Sequence, residues 1–179
     1  MSYLGKKRVF PLNLKYMDKT NMKIQITPEK KIKDVFSVWH EETSDTDLIV
    51  DTRYLQCFKS GSLKTIYAFG LLGITEPDRI VYVLKNLVKS LKVGGELYII
   101  EQDFDYIIRS LLGGDLTLEE FNKEHRKKTY LNQDLIVEYL EKAGFPVKEQ
   151  KWWKEGVQFN KKNSEIIISG IKNNNQSYE

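Results

Sequence analysis

The sequence predicts an α/β fold, a mostly parallel sheet covered by helices with an antiparallel hairpin at its C-terminal end. Three observations carry this. A helical pattern that begins at Glu76-Pro77-Asp78 stops at Gly94-Gly95, and the run Glu96-Leu97-Tyr98-Ile99-Ile100-Glu101 follows at once, which is the second half of a strand–helix–strand crossover. Strand-like runs at Leu48-Ile49-Val50-Asp51 and Leu63-Lys64-Thr65-Ile66-Tyr67-Ala68 precede it. Two more, Val147 to Trp153 and Glu165 to Ile171, follow the last helical pattern with no helix between them and form the hairpin.

Taken in order, Arg8-Val9-Phe10-Pro11-Leu12-Asn13-Leu14 reads as a first short strand and Met22-Lys23-Ile24-Gln25-Ile26-Thr27 as a second, stopped by Pro28. The reverse register, with residues 22–27 as the first strand, is also open. Lys31 to Glu42 carries Ile32, Val35, Phe36 and Trp39 at i, i+3, i+4 and i+7, an amphipathic helix pattern. In the helix after Pro77, Ile80, Leu84, Leu87, Val88 and Leu91 form the inner face, with Lys85 and Lys89 outside. Tyr106 to Leu112 and Thr117 to Lys128 read as helices, the latter opened by the capping box Thr117-Leu118-Glu119-Glu120. Asn132 caps a helix over Gln133 to Lys142, which Gly144 and Pro146 end. The chain reads as one domain over residues 1–172 with a frayed tail at 173–179.

Composition excludes several classes. With 41% hydrophobic residues, 11 Gly and 4 Pro, the chain is neither disordered nor fibrous. No apolar run reaches the roughly 20 residues of a membrane span and the N-terminus lacks a signal-peptide core, so the expected compartment is the cytoplasm. The lone Cys57 and two histidines, His40 and His125, make no zinc set, so no metal is expected. Cys57 reads as a small core filler, His40 and His125 as solvated side chains, and one ring of Trp152-Trp153 as a core residue with the other turned outward. A net charge of +3 does not argue for nucleic acid, although residues 1–33 hold nine Lys or Arg against Asp18 and Glu29. No aromatic-basic recognition motif accompanies that charge, which leaves nucleic-acid binding as a third reading.

The order of these elements resembles the class I S-adenosylmethionine-dependent methyltransferases, a Rossmann-like fold. The residues that carry the resemblance are Asp47-Leu48-Ile49-Val50-Asp51-Thr52-Arg53-Tyr54-Leu55, Leu91-Lys92-Val93-Gly94-Gly95-Glu96-Leu97 and Tyr139-Leu140-Glu141-Lys142-Ala143-Gly144-Phe145, covering about residues 45–172. The resemblance implies S-adenosylmethionine as cofactor, with Asp51 near its adenine and Leu14, Gln25, Phe69 and Gly70 around the rest of it. It implies a sheet in which the strands near residues 48 and 64 flank the N-terminal one. Glu101-Gln102-Asp103-Phe104-Asp105 falls where open parallel sheets place their ligand crevice, so Asp103 and Asp105 are the candidate bases for a small or sugar-like methyl acceptor, and helix-capping acids otherwise. Phe69-Gly70-Leu71-Leu72-Gly73 is either a close-approach loop for a ligand or a turn into the next helix.

The family's glycine-rich turn after the first strand is degenerate here, since neither Lys15-Tyr16-Met17-Asp18 nor Pro28-Glu29-Lys30 contains glycine. The acid expected at the end of the second strand is replaced by Gln25 or Thr27. Two functions follow: a methyltransferase for a small or sugar-like acceptor, or a catalytically inactive binding or assembly module that keeps the fold. In either case a protein partner or an oligomer could complete the pocket.

Overall fold

A computed structural model describes residues 22–28, 32–41, 43–44, 46, 48–49, 58–124, 127–147, 157–162 and 164–173. Seven strands lie in the order β3-β2-β1-β4-β5-β7-β6: β1 (Met22–Ile26), β2 (Phe36–Trp39), β3 (Leu48–Ile49), β4 (Leu63–Phe69), β5 (Leu91–Gln102), β6 (Gln158–Lys162) and β7 (Glu165–Ile171). β3, β2, β1, β4 and β5 pair in parallel. β7 runs antiparallel to β5, and β6 antiparallel to β7. The helices are α1 (Ile80–Ser90), α2 (Phe104–Gly113), α3 (Leu118–Glu124) and α4 (Gln133–Lys142).

Alternation along paired strands fixes which residues share a face. Ile24, Ile26, Ile66, Ala68, Leu97, Ile99, Ile166 and Ile168 stand in register on one face, all buried. α1 covers that face with Ile80, Val83, Leu84, Leu87 and Val88, and packs against α4, which adds Ile136 and Leu140. On the opposite face the Tyr67 and Tyr98 rings stack at 4.8 Å. Asn132 caps α4 as expected, its Oδ1 accepting from Leu135 N at 3.0 Å. Thr117 and Glu120 form the capping box.

Five expectations are settled or changed. Met22–Ile26 is the inner strand β1, so the register with residues 22–27 first holds among the described strands; residues 8–14 lie outside the described residues. The segment read as a helix over Lys31 to Glu42 contains strand β2 instead. Nine residues separate Ile26 from Phe36, and Asp34 turns the chain with φ 64°. A strand crossover through a helix takes roughly 10–12 residues, so this one has no room for a helix. The neighbours of β1 are therefore β2 and β4, and β3, near residue 48, lies one strand further out. The first hairpin strand is Gln158–Lys162; of the expected run from Val147, Val147 is a buried turn residue and 148–156 lie outside the described residues. The helix after Pro77 ends at Ser90, four residues before the glycines, which instead lie within β5.

Candidate functional site

In open α/β sheets the ligand crevice lies beyond the carboxyl ends of the strands, where the strand order reverses. Here that point is β1, with β2 on one side and β4 on the other. The loops that border it are the β1–β2 connection, Gly70 to Glu76 after β4, and Asp103 to Asp105 after β5.

The β1–β2 connection is held by Gln25. This fully buried side chain donates from Nε2 to Ile32 O at 2.9 Å and to Val35 O at 3.1 Å, and its Oε1 accepts from Ile32 N at 2.9 Å. The amide is thus engaged at both ends by its own chain. The end of β2, where the resemblance expects an acid, carries the buried Trp39, with the His40 ring tilted on it at 4.4 Å. Glu41 follows, 3.7 Å from His40 Nε2 and well exposed. No glycine occurs between Gly5 and Gly61, so all three first strands and their connections lack one in any register.

After β4, Phe69 is half-buried and Gly70 takes φ +63°, a left-handed conformation that favours glycine, with its N–H donating to Ile100 O at 2.8 Å. What comes close to the loop glycines is a side chain of this protein. A Cβ on Gly70 would lie 3.3 Å from Lys127 Nζ, and one on Gly73 would lie 3.0 Å from Lys127 Cδ and 3.1 Å from Glu101 Oε2. Glu101 is buried; its carboxylate accepts from Leu72 N at 2.7 Å and Gly73 N at 3.2 Å. Burial pushes its pKa up to about 7, against the opposing pull of the two backbone donors and the Lys127 ammonium. Gly73 O in turn accepts from Lys128 N and Thr129 N, and Thr129 Oγ1 donates to Thr75 O at 2.7 Å. Glu101, Lys127, Thr129, Phe104 and Tyr130 line a narrow cleft at the end of β5.

The two candidate bases diverge. Asp103 is buried and caps α2, its Oδ1 accepting from Asp105 N at 3.2 Å. Asp105 is exposed on the first turn of α2 and accepts from Asn132 Nδ2 at 3.2 Å. Leu14 and Asp51 lie outside the described residues, as do Cys57, His125, Trp152 and Trp153. Sequence reasoning missed Glu101 and Lys127 as a pair. The signal for Glu101 was present: it falls in phase with Leu97 and Ile99, so an acid occupies a core-facing position. Among the described residues no group of three or more His, Cys, Asp or Glu gathers to hold a metal, and no helix is long and apolar enough to cross a membrane.

The strand order, the C-terminal hairpin and the crevice at β1 define the class I methyltransferase fold. Solved structures agree. A S-adenosylmethionine-dependent methyltransferase from Archaeoglobus fulgidus superposes with a TM-score of 0.61 at 11% identity, over 88% of this chain and 89% of the other. One from Thermotoga maritima gives 0.59 at 16% identity, over 84% and 82%. A chain from a complex described as that of the Haloferax volcanii Trm112 methyltransferase activator and a methyltransferase gives 0.53 at 9%, over 91% and 86%. Others are longer: the chain spans about half of an O-methyltransferase family protein from Burkholderia thailandensis, 52% of it. No family model and no curated protein matches the sequence.

Proposed function

We propose that this chain is a methyltransferase-fold binding or assembly module, a cytoplasmic pseudoenzyme in which the usual seat for S-adenosylmethionine is closed. The observation that carries this reading is Gln25. In the fold, a turn without side chains after the central strand lets the backbone approach the cofactor's ribose and methionine portions. Here the turn is glycine-free, and three hydrogen bonds tie Gln25 to the connection that follows it. Trp39, the last residue of β2, supplies no side-chain acceptor for ribose hydroxyls, and the first acid beyond it, Glu41, is exposed beside His40. The residues described around β1 therefore do not fit the group in its usual position. A thermal-shift series with S-adenosylhomocysteine tests this. Saturating ligand leaves the transition midpoint unchanged if the seat is closed, whereas a tight site raises it by mass action.

A second reading keeps methyl transfer to a small or sugar-like acceptor, with a protein partner supplying the missing cofactor contacts. Two things favour it: the likeness to a chain from a methyltransferase–activator complex, and the exposed Asp105 carboxylate at the crevice rim. In that reading Asp51, Leu14, Phe69 and Gly70 border the cofactor, Gln25 contributes only if its backbone bonds exchange, and Asp105 rather than the helix-capping Asp103 is the base. Activity that appears only when a co-purified partner is present would support it.

A further inference from the structure

Six large apolar side chains are exposed among the described residues, and they fall in two segments of opposite net charge. Four of them, Tyr106, Ile108, Leu112 and Leu118, lie on the arm formed by α2, α3 and the turn between them. Leu112 is 84% exposed and Leu118 70%. In the ten residues of α2 only Ile107 is buried. The arm is anchored at its base, where the rings of Phe104 and Phe121 lie 4.8 and 5.8 Å from that of Tyr130. A helix this short is marginal without a packed face, so an apolar stripe left in water at its outer end calls for a cover. The arm is also acidic: from Phe104 to Glu124 it holds five acids against two bases, while the rest of the chain holds 20 acids against 26 bases.

The other two, Tyr82 at 44% and Val93 at 46%, belong to the outer side of α1 and its exit. Tyr82, Lys85 and Lys89 recur at i, i+3 and i+7, so they share the solvent face of α1, and that helix carries no acid at all. The arm offers exposed leucines on a net acidic segment, the outer side of α1 offers Tyr82 beside two lysines, and both belong to the same polypeptide.

We infer that the occupant of the arm is a second copy of this chain: the α2–α3 arm docks through Leu112 and Leu118 on the Tyr82–Lys85–Lys89 face of the other copy's α1, and the other copy's arm does the same in return. Reciprocal exchange closes into a two-fold dimer and leaves no open end for further growth. The apolar centre supplies affinity, and the opposed charges set orientation. The inference is independent of how the crevice is read.

Sedimentation velocity over a concentration series, with circular dichroism to check folding, tests it. The wild-type chain forms a dimer with a dissociation constant in the micromolar range, weakened by salt as screened rim charges require. Leu112→Glu with Leu118→Glu raises that constant at least about tenfold without changing the helix signal, since both side chains are solvent-exposed. Reversing the arm charges (Asp115→Lys, Glu119→Lys) or the α1 charges (Lys85→Glu, Lys89→Glu) weakens the dimer, and combining all four restores it. A monomer at every concentration overturns the inference, and so does a monomer that binds anionic vesicles through the arm or a dimer indifferent to these substitutions.

Discussion

Glu101 offers the sharpest physical test of the hydrogen bonds that hold the loop after β4 beside the crevice. Its carboxyl pKa is raised from 4.5 to about 7 by burial, so between those values the folded chain binds a proton that the unfolded chain has released. Stability from this group is complete below about pH 4.5 and is lost as pH rises through 7. A shift of that size corresponds to about 3 kcal/mol across the window. The nearby charge is Lys127, which pulls the opposite way and is already included in the balance. Glu101→Gln keeps a carbonyl oxygen for Leu72 N but cannot titrate, so it removes this slope. Urea unfolding at intervals from pH 4 to pH 8 should show the wild type losing about 3 kcal/mol more than the variant over that range. A wild-type–variant difference that stays constant with pH would refute the reasoning, because it would mean that Glu101 is not held in a drier environment than in the unfolded chain.

Gln25→Leu fills similar volume but strands Ile32 N, Ile32 O and Val35 O, and should cost about 2–4 kcal/mol by chemical denaturation, with the loss centred on the β1–β2 connection in hydrogen exchange. Lys172 sits buried at the end of α1, where Nζ donates to Val88 O and Leu91 O, and burial lowers its pKa to about 8. The unfolded chain then holds the extra proton between about pH 8 and 10.5, so stability should rise with pH across that window. Lys172→Met should abolish that rise, and unfolding measured at both ends of the window checks it.

The elements that could be read from the sequence are those whose signals are local. Pro77 and the leucine spacing gave α1, Asn132 and Gly144 bounded α4, and Thr117 with Glu120 opened α3. β2 was misread because a parallel strand buried on both sides loses its alternation: Ser37, Val38 and Trp39 are all buried in succession, and a run of this kind satisfies helical spacing equally well. The hairpin's first strand was displaced because Gln158-Phe159-Asn160-Lys161-Lys162, at the sheet edge, has a single apolar residue, Phe159, packed against the core and so carries little alternation. In the site, Asp103 was legible as a helix cap, since the dipole and the acid are neighbours in sequence. The approach of Lys127 to Gly70 and Gly73 was not, because more than fifty residues separate them and only the fold brings them together.

In the function proposed above, the crevice at β1 does not seat S-adenosylmethionine in the chain alone. In that reading, losing the glycine turn and an acid in line with the ribose would weaken a micromolar site by about tenfold to a hundredfold or more, at 1.4 kcal/mol per decade. Isothermal titration calorimetry of S-adenosylmethionine and S-adenosylhomocysteine into the purified protein reads this directly. The account predicts no heat of binding, or a dissociation constant no tighter than the submillimolar range; low-micromolar, one-to-one binding by the chain alone would contradict it.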